Sequence, residues 1–314
     1  MHVRSDTADA VRASHRPWDG VAQASRRLSD GFERSIDGLR ADLAGAINGP
    51  WESFAGGVDR LWEGFAGAVT LLTIVPLPIQ AATASPTGAT TAGAGLNRSA
   101  GWLPIVGAAL GALAGGVRVL CEPRLGRSVS TVLATVVLVV ATGALHQDGL
   151  ADTADGLGAR GGRTRRLEAM RDSATGVFGV LALLGWTLLL LTTMASLEAD
   201  RALGGLIVAC ALARWAALLH AAGAPPARSD GLGMTFGADR LALSTATGAS
   251  VILALGVCGS RAGAAALGTT LIVAALSAAF ARRTLGGRTG DTLGATVAVV
   301  EVAVCVVLVA VWHG

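Results

Sequence analysis

The amino-acid sequence predicts an all-α, polytopic integral membrane protein, and three observations carry this prediction. Of the 314 residues, 52% are hydrophobic and only 15% are charged, whereas about a quarter of an average soluble domain is charged. The mean hydropathy is +0.57. Uncharged runs such as 128–146 and 176–197 approach the ~20 residues that a spanning helix needs. These runs are interpreted as helices because an open strand edge cannot lie in lipid.

About seven apolar segments are predicted to cross the membrane. They lie near residues 103–121, 129–146, 176–197, 203–223, 241–259, 263–281 and 293–312. A further segment, Phe65–Ala82, contains Pro76 and Pro78 and is predicted to be re-entrant or kinked. Residues 1–61 form a separate N-terminal extension whose apolar residues recur at helical spacing, which predicts amphipathic helices. Residues 62–314 form the membrane-embedded domain.

The arginines predict how the chain is oriented in the membrane. If the seven segments alternate, loops 147–175, 224–240 and 282–292 share one side and carry ten arginines. The opposite loops, 122–128, 198–202 and 260–262, carry four. By the positive-inside rule the first side is cytoplasmic. Because the arginines are scattered among apolar segments instead of gathered on one face, no nucleic-acid binding is predicted.

The stretch HQDGLADTADG at 146–156 carries three carboxylates on one helix face. Asp148, Asp152 and Asp155 stand at i, i+4 and i+7. Like charges on one face repel each other unless a cation joins them, and oxygen-only ligands favour Mg²⁺, which usually binds a few carboxylates together with substrate phosphates. These three residues are therefore predicted metal ligands. The alternative is a solvated acidic helix end that the arginines at 160–171 neutralise.

Two further segments suit a phosphate or a nucleotide. In the first, 163–179, Arg165, Arg166 and Arg171 could hold phosphate. In the second, 282–295, glycines surround Thr289, Gly290 and Asp291 just before the last apolar segment. Flexible backbone, hydroxyls and arginine together favour an anion site.

Two charged residues lie inside predicted spans. Arg214 is midway along 203–223, and Glu301 is about ten residues into the last segment. Intramembrane charges are costly and usually face a cavity or one another. A structural Arg214–Glu301 ion pair is the alternative to a functional role for the two charges. His146 points away from the aspartates and is expected to hydrogen-bond near the site rather than to bind metal. Gly107, Gly111 and Gly115 share one helix face and predict close helix packing.

The motifs of this sequence resemble those of a known family, the cobalamin synthases or adenosylcobinamide-GDP ribazoletransferases. The resemblance covers roughly residues 62–312. It is carried by LLTIVPLP at 71–78, LPIVGAALG at 103–111, LHQDGLADTADG at 145–156, LEAMRDSATGVFG at 167–179 and RTLGGRTGDTLGA at 283–295. The chain departs from the family pattern at Ala174 and Ala298, where many relatives carry a basic residue and Glu respectively, and residues before about 60 have no family counterpart.

The resemblance implies a Mg²⁺-dependent, multi-pass enzyme of the cell inner membrane with its active site facing the cytoplasm. Such an enzyme joins α-ribazole, or its 5′-phosphate, to adenosylcobinamide-GDP and releases GMP, forming adenosylcobalamin or its phosphate. Asp148, Asp152 and Asp155 would be the acidic motif, and Asp155 or Asp291 the candidate catalytic base. The lipid bilayer is the expected surrounding, and either a homo-oligomer or association with other corrinoid-pathway enzymes is compatible with the resemblance.

Two other functions are left open by the residues. A CDP-alcohol phosphotransferase also uses a DG-rich aspartate pattern, but the order DGxxAR…GxxxDxxxD is not reproduced here. A transporter would use Arg214 and Glu301 to line a pathway, and it predicts polar residues spread through several helices. Most polar groups in this sequence gather instead at one predicted membrane face.

Overall fold

The computed structural model of the chain describes residues 61–74, 99–237 and 239–314, together with Arg34 and Asp59. Contacts divide the chain into two compact units, Met1–Asp59 and Arg60–Gly314. The amphipathic helices predicted for 1–61, and the two prolines of the predicted re-entrant segment, lie outside the described residues. The second unit carries every motif of the predicted site.

The described residues of this unit form helices and loops, with no strand among them, as the sequence predicts. The helices are α1 (Leu61–Leu72), α2 (Leu103–Ala141), α3 (Leu145–Gly158), α4 (Arg163–Ala169), α5 (Val177–Ala195), α6 (Ala199–Gly223), α7 (Leu232–Thr235), α8 (Arg240–Leu285) and α9 (Gly290–His313). The only ladder contact in these ranges is an isolated parallel bridge between Pro226 and Arg288.

Five of these helices, α2, α5, α6, α8 and α9, are long and apolar enough to cross a membrane. The chain is therefore a multi-pass membrane protein. Two of the five are interrupted, α2 at Gly126 (φ +73°, ψ 170°) and α8 at Gly259 (φ +79°, ψ 172°). Only glycine adopts this conformation readily, so the helix axis breaks there. Gly126 falls between the segments predicted for 103–121 and 129–146, and Gly259 is the last residue of the segment predicted for 241–259. The predicted count of seven crossings stays a prediction.

One predicted boundary is wrong. The span predicted for 129–146 ends at Ala141, because Gly143 and Ala144 both have positive φ, 58° and 57°. The helix cannot continue through left-handed residues. His146 consequently belongs to α3, the helix of the three aspartates, and not to the preceding span.

Helix α6 is the centre of the bundle and is buried along most of its length, packed against α2, α8 and α9. The glycine face predicted on α2 lies against it. A Cβ on Gly107, Gly111 or Gly115 would press into the α6 backbone near Cys210, Leu206 and Leu203 respectively. Close helix packing through these glycines is thus confirmed. Outer faces, by contrast, carry exposed leucine and isoleucine such as Leu188 and Ile252, as expected of helices that face lipid.

The three loops predicted to share the cytoplasmic side contact one another. Arg163 donates to the Ala227 carbonyl at 2.7 Å, and Arg228 donates to the Leu167 carbonyl at 2.7 Å. The Ala227 amide donates to the Arg288 carbonyl of the third loop at 2.8 Å. At the opposite end, Arg127 forms an ion pair with Glu198 at 2.5 Å. The predicted grouping of the loops is therefore seen in the fold, and it gathers the conspicuous motifs at one end of the bundle.

Candidate active site

The two acidic motifs meet where α3 crosses α9. A Cβ on Gly149 would lie 2.8 Å from the Asp291 carbonyl oxygen and 3.2 Å from the Gly294 Cα. Gly294 in turn faces the backbone of Leu145 and His146. At position 149 only glycine permits this approach, whereas a Cβ on Gly294 would lie 3.3 Å from the Leu145 carbonyl oxygen and would need a small shift. The crossing brings the first turn of α3, which carries Asp148, beside the first turn of α9, which carries Asp291.

The start of α9 is fixed by a reciprocal cap. The Thr289 hydroxyl accepts from the Thr292 amide at 3.1 Å, and the Thr289 amide donates to the Thr292 hydroxyl at 2.9 Å. This satisfies amides that a helix N-terminus leaves free. The Thr289 hydroxyl also lies 3.3 Å from Oδ2 of Asp291, so the cap orients the aspartate. Thr289 and Gly290, predicted as anion-binding residues, both line the pocket beside this crossing.

The carboxylates of the two motifs form one electrostatic group. Burial, and after it the neighbouring charges of Asp148, Asp291 and Asp155 in that order, together raise the pKa of Asp152 to about 6. Arg228 acts in the opposite direction and lies 3.8 Å from Asp291. Like charges held together disfavour ionisation, and a strongly perturbed acid of this kind is typical of functional sites.

Asp155 occupies a different position from the other two aspartates of its motif. Its carboxylate accepts from the Gly176 amide at 2.7 Å and from the Gly179 amide at 2.9 Å. These amides open α5, so the carboxylate binds the positive end of that helix. A Cβ on Gly179 would press into the same carboxylate. The structure thus gives Asp155 a clear positioning contact, while its roles as metal ligand and base stay predictions.

The three arginines predicted to hold phosphate are separated in the structure. Arg171 forms a two-pronged ion pair with Asp230, at 2.9 and 2.7 Å. Arg165 lies 3.5 Å from Glu168 and is largely exposed, and Arg166 is half-buried. Among the described residues that line the pocket, Arg171 is present and the other two are absent.

Sequence reasoning missed the contribution of the segment 224–236. Arg288, just before α9, donates to the Ala221, Ala224 and Phe236 carbonyls, and burial lowers its pKa. Arg228 reaches Asp291 from the same segment. From the sequence, Arg228 contributes only to the predicted membrane orientation, and Arg288 contributes to that orientation and to the anion-binding segment 282–295. Their partners are mostly backbone carbonyls, which leave no pattern in the sequence. In the sequence, only the glycine and arginine content of 286–290 points to a role of this region in the site.

These elements surround a pocket of about 500 Å³. Its mouth carries exposed or half-exposed charged side chains, namely Asp148, Arg171, Arg228, Asp230 and Asp291. Its interior carries buried side chains, namely Leu72, Leu103, Ala217, Phe236, Leu293 and Val297, with His146 and Arg214 among them. A charged mouth above an apolar interior is typical of a site that takes a ligand with one polar and one apolar end.

Arg214 and Glu301 form a buried ion pair, with side chains 1% and 2% exposed. The ion-pair interpretation of the two intramembrane charges is thus confirmed. Because the charges neutralise each other, they no longer indicate a transport pathway.

The family of the chain is decided by comparison with known sequences. The sequence model of the cobalamin-5-phosphate synthase family matches residues 64–309. The chain belongs to this family.

Named relatives agree with the family assignment. A protein of Azorhizobium caulinodans named adenosylcobinamide-GDP ribazoletransferase is 41% identical over 218 residues, which cover 66% of this chain and 82% of the relative. Proteins of the same name from Geotalea daltonii and Escherichia coli are 37% and 36% identical, over 69% and 62% of this chain and 87% and 80% of their own lengths. No solved structure matches the chain.

The cobalamin-5-phosphate synthase match includes every residue of the site, whereas residues 1–63 lie outside it. Within the described part of this chain, no three His, Cys, Asp or Glu side chains lie close enough together to hold an ion by themselves. Mg²⁺, however, usually takes only one or two carboxylates and completes its shell with water and substrate phosphate. Asp148 and Asp291 at the mouth, with Asp152 beside them, fit such a shared site.

Proposed function

We propose that this chain is an adenosylcobinamide-GDP ribazoletransferase. It transfers the adenosylcobinamide phosphoryl group of adenosylcobinamide-GDP to α-ribazole, or to its 5′-phosphate, and releases GMP. This is the nucleotide-loop assembly step of cobalamin biosynthesis. The family match supports the reaction, and one structural observation supports the site: the motifs at 145–156 and 283–295 meet across a single pocket.

The pocket mouth suits the phosphoryl chemistry of this reaction. The reacting groups are a pyrophosphate and a hydroxyl, so positioning and neutralisation of charge are what the protein has to supply. Arg171 and Arg228 place two guanidinium groups at the mouth. Arg288 lines the same pocket but is engaged by three carbonyls, so it holds the segment 224–236 in place instead of binding phosphate.

Asp148, Asp152 and Asp291 are the proposed holders of Mg²⁺. When bound there, Mg²⁺ would neutralise negative charge on the pyrophosphate and on the departing GMP. Burial and then the repulsion from Asp148, Asp291 and Asp155 raise the pKa of Asp152, and the repulsive part supports a cation site, because a cation would relieve it.

The proposed bond changes follow from this placement. The ribazole hydroxyl oxygen forms a bond to the phosphorus on the corrinoid side, and the bond from that phosphorus to the oxygen of GMP breaks. The hydroxyl proton passes to a carboxylate at the mouth. Of the two predicted bases, Asp291 is favoured, because it lines the pocket whereas both Asp155 oxygens accept amides of α5. In this role Asp291 would hold Mg²⁺ through one carboxylate oxygen and accept the proton on the other.

We place the site on the cytoplasmic side of the cell membrane. The three loops that contribute to the mouth carry the majority of the loop arginines, which supports this orientation by the positive-inside rule.

The test is an assay of the purified full-length protein in detergent or nanodiscs. GMP release and formation of the cobalamin product are expected only when Mg²⁺, adenosylcobinamide-GDP and ribazole are all present. Asp152→Asn should abolish release. Asp200→Asn, the same change at an exposed position at the far end of α6, should leave it unchanged. No GMP release from the unaltered protein under complete conditions would refute the proposed function.

A further inference from the structure

The interior of the pocket is lined by apolar side chains, which the phosphoryl chemistry at its mouth does not require. Leu103, Leu293 and Val297 are 2%, 4% and 3% exposed, and Ala217 and Phe236 complete an apolar wall. These side chains are buried, whereas Asp148 is exposed and Asp291 is half-buried. They offer a ligand apolar contact on several sides.

Two buried polar groups interrupt this wall. Arg214 uses Nη1 to bind Glu301 and to contact the Cys210 carbonyl at 3.3 Å. Its Nε and Nη2 are buried and have no hydrogen-bond partner among the described residues. The Nδ1 atom of His146 is likewise buried and without a partner in the described ranges. A buried donor without an acceptor is unfavourable, so a ligand that brings an acceptor to this depth would be favoured.

The proposed reaction offers three ring systems, and only one fits such an interior. A corrin macrocycle with its peripheral amides is too large for a pocket of about 500 Å³. Guanine carries donors at N1 and N2 that need acceptors, whereas the carboxylates of the pocket are at its mouth. The base of ribazole is a dimethylated benzimidazole, which is apolar apart from one unsubstituted ring nitrogen, and that nitrogen is an acceptor.

We propose that the interior of this pocket is the subsite for the ribazole base. The fused ring lies among Leu103, Phe236 and Val297, and the unsubstituted ring nitrogen accepts from Arg214. The ribose then extends to the mouth, which places its hydroxyls beside Asp148 and Asp291. This subsite rests on the proposed function, because it assigns one of the two substrates of that reaction. It would make Val297 and Arg214 determinants of which base is incorporated.

The first test changes the volume of the subsite. Val297→Phe should raise KM for ribazole by roughly 10-fold or more, since an apolar pocket discriminates by that much for small changes in size. KM for adenosylcobinamide-GDP should stay unchanged. Val306→Phe makes the same change further along α9, at a side chain that is 39% exposed, and should alter neither constant. If Val297→Phe fails to fold, Val297→Ala is tested instead. That variant should use ribosides with a larger base more efficiently than the unaltered enzyme does.

The second test probes the buried donor. The unaltered enzyme should use the riboside of dimethylindole, which has a carbon in place of the acceptor nitrogen, at least roughly 10-fold less efficiently than ribazole. The double variant Arg214→Met with Glu301→Leu removes the donor without leaving a lone charge, and it should bring the two ribosides within about twofold of each other. Thermal unfolding of the double variant checks that the bundle is intact.

The outcomes separate the two proposals. An unaltered enzyme that releases no GMP refutes the proposed function. An active enzyme whose preference among bases is unchanged by Val297→Phe and Val297→Ala overturns the subsite alone. An increase in KM for adenosylcobinamide-GDP, with KM for ribazole constant, would also overturn it and assign the interior to the guanine nucleotide.

Discussion

Gly149 on α3 lies directly against the backbone of Asp291 on α9, and this contact joins the two acidic motifs into one site. A Cβ at position 149 would meet the Asp291 carbonyl at 2.8 Å, closer than side-chain carbons normally approach. The glycine therefore determines how near the Asp148 and Asp291 carboxylates can come. It also explains why a glycine stands beside the first aspartate of the motif.

Gly149→Ala should separate the two helices and damage both stability and activity. Overpacking of this kind costs about 1–3 kcal/mol, so the melting temperature in detergent should fall and kcat should fall with it. Gly185→Ala is the matched control, because a Cβ on Gly185 meets nothing within 4 Å. There alanine should be neutral or slightly stabilising. Equal melting temperatures for the two variants would contradict the close contact at Gly149.

Asp155→Ala should act on stability more than on metal binding. Loss of the two amide hydrogen bonds at the start of α5 removes a helix-capping carboxylate, an effect of about 1–2 kcal/mol. The variant should unfold at lower temperature but keep most of its affinity for Mg²⁺, measured by titration with Mn²⁺ as a paramagnetic substitute. Asp152→Asn should do the opposite. Unchanged stability with lost metal binding in Asp155→Ala would show that the predicted ligand role is right and the capping role minor.

Glu301→Gln should destabilise the bundle strongly, because it leaves Arg214 as an uncompensated buried charge. Breaking one side of a buried ion pair costs about 3–5 kcal/mol, whereas replacing both partners by apolar residues is often close to neutral. The combined Arg214→Met and Glu301→Leu variant should therefore melt nearer to the unaltered protein than Glu301→Gln does. Thermal unfolding in one detergent gives the comparison. A double variant less stable than Glu301→Gln would contradict a simple pair.

The raised pKa of Asp152, about 6, predicts opposite pH effects on metal binding and on the stability of the metal-free protein. Protons compete with Mg²⁺ for the carboxylate, so apparent Mg²⁺ affinity should fall as pH decreases through 6. Without metal, the folded protein binds more protons than the unfolded chain between the ordinary aspartate pKa and 6, so stability should decline as pH rises through that window. In Asp152→Asn, Mg²⁺ affinity and stability should both depend less on pH than in the unaltered protein. If both depend on pH as strongly as before, another group is responsible for the titration.

The sequence predicts those parts of the fold that depend on composition and helical spacing. The apolar segments and the glycine face of α2 follow from composition and from residues on one helix face. The sequence offers the pairing of Arg214 with Glu301 as one of two alternatives, and the structure decides between them. The gathering of the three arginine-bearing loops follows from simple alternation across the membrane.

Other features depend on tertiary contacts that leave no local pattern. Asp155 has the same spacing as a metal ligand, yet its partners are the amides of Gly176 and Gly179, more than twenty residues away. Arg288 binds three backbone carbonyls, and any residue type supplies a carbonyl. The end of α2 at Ala141 depends on the positive φ of Ala144, which alanine rarely adopts.

The most direct measurement is a double-mutant cycle between Asp148 and Asp291, read as kcat/KM for GMP release. If the two carboxylates act together on one metal and one pyrophosphate, the double variant Asp148→Asn with Asp291→Asn should be about as slow as the slower single variant, since residues that act as a unit are strongly non-additive. If the two losses instead multiply, the aspartates act independently, and the single site formed by α3 and α9 is contradicted.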